Sequence, residues 1–78
     1  MKTLHNGNGE FPFVRTDTVA FEWKFEDAGD HEHPYILTVA VDGQTHSEGF
    51  EHMLSDSEAS LNAERLAQEV YAAAQDRS

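Results

Sequence analysis

Seventy-eight residues allow one domain, and 38% hydrophobic residues suffice for a small core. Fifteen Asp and Glu against five Lys and Arg leave a formal charge of −10, and cysteine is absent. These figures argue against direct nucleic-acid binding, which needs a basic face, and they remove disulfides and thiolate chemistry. No apolar run approaches the roughly 20 residues of a membrane-spanning helix. Residues 1–10 carry no apolar stretch of the kind a secretory signal needs. A cytoplasmic protein is therefore expected.

The charge is uneven along the chain. Residues 1–18 balance to zero, residues 19–56 carry nine acids against Lys24 alone, and residues 57–78 carry four acids against two Arg. A domain of this length buries only about 60% of its unfolded surface and is marginal. Repulsion among like charges adds to that burden.

In chain order, Asn6-Gly7-Asn8-Gly9 favours flexible or turn conformations. The cluster Phe11, Pro12, Phe13, Val14 is broken by proline and fits an edge strand or an extended segment laid on the core. Residues 1–18 therefore read as a loose N-terminal arm with a short edge strand near Phe13, and residues 19–78 as a single α+β domain. Residues 19–26 alternate cleanly, with Val19, Phe21, Trp23 and Phe25 on one side and Ala20, Glu22, Lys24 and Glu26 on the other. This is the strongest strand signal in the chain. Residues 35–41 form a second strand with Tyr35, Leu37, Val39 and Val41 on its heavier face.

Asp42-Gly43 is a two-residue hairpin signal, and residues 44–50 return as a third strand. A two-residue turn pairs Val41 with Gln44, Val39 with His46 and Leu37 with Glu48, so the apolar face meets polar partners. A three-residue turn would place Thr45, Ser47 and Gly49 there instead. Either way this strand is polar, belongs at a sheet edge, and has an open register. Ser55-Asp56-Ser57-Glu58 fits a capping box. A helix follows to about Asp76, with Ala59, Ala63, Leu66, Ala67, Val70, Ala73 and Ala74 on one face and Tyr71 at its border. The expected fold is a three-stranded antiparallel sheet, or four-stranded with a strand near Phe13, with one C-terminal helix packed on one face.

No motif points to catalysis, and the chain reads as a binding protein rather than an enzyme. His46-Ser47-Glu48 lacks the Gly-x-Ser-x-Gly elbow and an oxyanion loop. Glu22 and Glu26 share one exposed strand face, which gives both the same solvent, whereas general acid–base work needs two unlike environments. Residues 26–34 hold His31 and His33 among four acids. These two are weak metal-ligand candidates, because two His at i and i+2 in a loop lack supporting structure. No metal and no cofactor is expected. Trp23 belongs to the core stripe. Leu61 falls opposite the apolar helix face, beside Glu58, Arg65 and Glu69, as a candidate partner contact.

Carboxylates at successive same-face strand positions lie about 6.6 Å apart and approximate a row of negative charge. In length, in the acid of residues 19–56 and in its sheet-then-helix order, the chain resembles the small acidic inhibitors encoded by phages and mobile elements, such as anti-CRISPR proteins and other DNA mimics. The resemblance is one of type and carries no motif and no residue role. It implies a protein that binds and inhibits a basic, nucleic-acid-binding protein or complex. The expected partner-binding residues are Glu22, Glu26, Asp27, Asp30 and Glu32, with Glu58, Leu61, Glu64 and Glu69 as a second surface. A self-associating module, as a homodimer through the edge strand of residues 44–50, is the alternative.

Overall fold

The computed structural model describes residues 2–13, 17–29 and 34–76. Its elements are β1 (Lys2–Phe13), β2 (Asp17–Asp27), β3 (Tyr35–Val41), β4 (Gln44–Phe50) and α1 (Asp56–Asp76). The strands form one antiparallel sheet in the order β1-β2-β3-β4, and α1 packs across one face. This is the α+β architecture that the sequence indicates, with four strands.

The core lies between that face and the helix. Period-two alternation turns Phe21, Trp23 and Phe25 of β2 and Leu37, Val39 and Val41 of β3 toward α1, where all six are buried. Phe11 joins them from β1, and Ala59, Ala63, Leu66 and Ala67 from the helix. Each large side chain buried here stabilises the fold by about 1.5–3 kcal/mol. The three alanines at i, i+4 and i+8 let the helix axis approach the sheet closely. Tyr71 makes T-shaped ring contacts with Phe13 at 4.7 Å and Phe11 at 6.1 Å between centroids, which pins the second half of the helix to β1. Ala73, expected on the same apolar face, is exposed and lines a groove beside β4.

The N-terminal segment differs from expectation. Lys2–Phe13 is not a loose arm with a short strand but a 12-residue edge strand paired with β2 along its length. The register places Gly7 opposite Trp23 and Gly9 opposite Phe21, with Asn6 and Asn8 on the other face. A Cβ on Gly9 would stand 2.9 Å from Phe21 Cζ, and one on Gly7 3.1 Å from Trp23 Nε1. The two rings thus fill the space over β1 that larger residues would need. Asn-Gly-Asn-Gly is a period-two strand pattern whose inward positions are vacated for the neighbouring aromatics.

A register shift between Thr3 and His5 leaves Leu4 as an extra residue, a β-bulge. His5 stacks on Phe25 at 6.2 Å and donates from Nε2 to the Leu54 carbonyl at 3.1 Å. That bond ties β1 to the connector entering the helix.

The β3–β4 hairpin takes the two-residue turn, pairing Val41 with Gln44, Val39 with His46 and Leu37 with Glu48. Asp42 (φ 50°) and Gly43 (φ 75°) are both left-handed, as a type I′ turn requires. The apolar stripe of β3 does face polar residues of β4. The helix resolves the conflict at Glu48, whose carboxylate accepts from Arg65 Nη2 at 2.8 Å. On the other face the Thr38 and Ser47 hydroxyls hydrogen-bond at 3.0 Å. At the helix start the capping box is reciprocal. Ser55 N–H donates to Glu58 Oε1 at 3.0 Å, and Glu58 N–H donates to Ser55 Oγ at 3.2 Å.

Candidate functional site

The sheet leaves one face uncovered by the helix. Alternation puts Glu22, Lys24 and Glu26 there, flanked by Asn6 and Asn8 of β1 and by Thr38 and Ala40 of β3. All of these but Glu26 border a shallow depression of about 540 Å³. Glu22 is exposed, whereas Glu26 is only 9% exposed, with Lys24 Nζ 3.6 Å from its Oε1. The expected row of carboxylates is therefore interrupted by a cation, and Glu26 presents little of itself to a partner.

Asp27 follows on the opposite face. It is exposed, and its Oδ1 accepts from Gly29 N–H at 3.0 Å, a side-chain turn that opens the β2–β3 loop. Ala28 N–H donates to the Pro34 carbonyl at 2.8 Å across that loop. Asp30, Glu32 and the metal-ligand candidates His31 and His33 lie outside the described residues. Among the described residues no three His, Asp or Glu side chains gather as a metal site needs.

The second predicted surface is the outer side of α1, across the molecule from Glu22. At 100° per residue, Glu58, Leu61, Arg65 and Glu69 share one flank, with Glu64 on the other side of Leu61. Leu61 is 69% exposed. Glu58 is exposed but engaged in the capping box, and Glu64 is half-buried. Bonds from the Ser55 N–H and then the Ser55 hydroxyl hold the Glu58 carboxyl below its ordinary range. Glu69 accepts from Arg65 Nη1 at 3.2 Å, so one guanidinium joins Glu48 of the sheet to Glu69 of the helix. The Glu48 bond, more than Glu69, raises the Arg65 pKa above its ordinary value.

Two features escaped the sequence reading. Met53, in the connector, is 55% exposed. A groove of about 260 Å³ runs between β4 and α1, with Gln44 and His46 on one wall and Val70, Ala73 and Ala74 on the other, and Glu69 at its margin. The signal for the groove was present in the polar character of β4 beside a helix face that continues apolar to Ala74. His46-Ser47-Glu48 does not come together. His46 and Glu48 point to the helix side, while Ser47 bonds Thr38 on the other face. Among the described residues no helix is long and apolar enough to cross a membrane. Comparison with known proteins found no matching family model, no matching curated protein and no matching solved structure.

Proposed function

We propose that this chain is a small acidic inhibitor that docks on a basic, nucleic-acid-binding protein or complex and occludes its surface without doing chemistry. The observation that carries this reading is the use of the few cations. Lys24 is paired with Glu26, and Arg65 with both Glu48 and Glu69. With fifteen acids against five Lys and Arg, the surface offers acid that the chain cannot neutralise itself. Such a surface accelerates encounter with a basic partner and loses its pull in salt. The interruption of the β2 row by Lys24 favours docking on a basic protein segment or pocket over imitation of a regular phosphate backbone.

A self-associating module, a homodimer through β4, is the second reading, favoured by the place of β4 at the sheet edge. Charge of one sign on both copies opposes it.

The test is capture of partners from lysate of the source cell, with elution first by competing duplex DNA and then by salt. The reading expects a nucleic-acid-binding protein released by the DNA. Recovery of nothing but the chain's own oligomers overturns it.

A further inference from the structure

The two sheet edges are not alike. β1 carries Lys2, Pro12 and the bulge at Leu4, all devices that discourage a further strand from pairing. β4 has no Lys, no Pro and an unbroken register over seven pairs. Its one inward-pointing charge, Glu48, is already matched by Arg65.

The two-residue turn fixes which backbone groups of β4 look outward. The turn bond joins Val41 and Gln44, so the alternate pairs Val39/His46, Leu37/Glu48 and Tyr35/Phe50 exchange the ladder bonds. Thr45, Ser47 and Gly49 therefore direct their N–H and C=O groups away from β3. All three carry small side chains or none, and all three are exposed.

Beside this edge lies the groove under Val70, Ala73 and Ala74. A strand added to β4 would point every second side chain toward that groove and toward Glu69 and Glu48. Residues 42–55 include Asp42, Glu48 and Glu51 and no Lys or Arg. Pairing of β4 with β4 of a second copy would bring together two chains of the same charge sign, and that repulsion opposes it. A basic strand meets the opposite situation.

We propose that the β4 edge and its groove form a strand-addition site for an extended basic segment of a protein partner. An apolar side chain of that segment sits against Val70, Ala73 and Ala74, and a Lys or Arg two positions along sits beside Glu69 and Glu48, two carboxylates that share the single positive charge of Arg65 and so keep a net negative charge. Main-chain bonds to Thr45, Ser47 and Gly49 supply affinity, and the alternating side chains supply selectivity. The site rests on the reading of the chain as an acidic binder of basic proteins and gives that reading a place.

The probe is the end-blocked peptide Lys-Val-Thr-Val-Thr-Arg-Lys, with Lys-Gly-Ser-Gly-Ser-Arg-Lys as a control of equal charge. Binding is followed by backbone amide shifts and hydrogen exchange on the full chain. The site predicts protection of the Thr45, Ser47 and Gly49 amides by the first peptide and at least about tenfold weaker binding of the control, since the control loses strand propensity and groove contacts. Ser47→Pro removes an outward N–H without breaking the β3 ladder, and Ala73→Gln fills the groove mouth from an exposed position. Each should weaken binding of the first peptide by a similar factor, with melting of the variant checked through Trp23 fluorescence. Equal binding of both peptides, indifferent to the two variants, overturns the site while the acidic-binder reading stands. Binding of neither peptide at low salt overturns both. Protection of the β4 amides by the chain alone, rising with its concentration, assigns the edge to a second copy and overturns the site.

Discussion

At the scale of single residues, the fold depends on what is small as much as on what is buried. Gly9→Ala places a methyl 2.9 Å from Phe21 Cζ, on a ring that is itself only 4% exposed. Overpacking of this kind costs about 1–3 kcal/mol, against a gain of about 0.4–1 kcal/mol from a stiffer unfolded chain. A net loss of stability is expected, read by thermal melting of Trp23 fluorescence. An unchanged or raised Tm would show that the Phe21 ring yields freely. Burial also separates two carboxylates that look equivalent in sequence. Glu22→Gln removes an exposed charge and should slow association with a basic partner a few-fold, in the range of exposed charge pairs. Glu26→Gln removes one that is 9% exposed and beside Lys24, and should leave that rate unchanged. Stopped-flow association of the two variants with the captured partner decides between them. Equal effects would mean that Glu26 reaches the partner after all.

At the scale of elements, the strand and helix patterns were legible where side chains report their own burial. The β2 stripe from Phe21 to Phe25, the Asp42-Gly43 turn and the Ser55–Glu58 box all stand as the sequence implies. β1 was hidden because its inward positions are glycines. Their place in the core is decided by the rings of Trp23 and Phe21 on the next strand, which no local pattern shows. The β4 register stayed open because polar residues specify no face, and Arg65, 17 residues beyond Glu48, is what makes the observed register acceptable. The helix start permits a direct test. Ser55→Ala removes the bond that Ser55 Oγ accepts and should cost about 1 kcal/mol. Glu58 has a lowered folded pKa, so its contribution is fully present above its unfolded pKa and is lost as pH falls through the folded value. Part of the acid-induced loss of stability should therefore disappear in Ser55→Ala. Parallel acid titrations of the two proteins would contradict the capping account.

At the scale of the whole molecule, the candidate surfaces separate in a way the sequence did not show. Glu22 faces out from the open sheet, while Glu58, Leu61 and Glu69 lie on the helix across the core. The groove beside β4 forms a third surface, and it exists only because α1 continues apolar past the residues it buries. Composition gave the sign and size of the charge. Of the described cations Lys2, Lys24 and Arg65, geometry shows that the last two are paired internally. One charge distribution then has two opposite consequences in salt. Screening relieves repulsion within the free chain and should raise its Tm, while it weakens attraction to a basic partner. The most direct measurement is the Kd of the chain for its captured partner from low to physiological salt, alongside the melting of the free chain. The account predicts a Kd that rises steeply with salt while the Tm of the free chain rises. A Kd indifferent to salt would contradict it, and would mean that the acid serves the chain alone and not its partner.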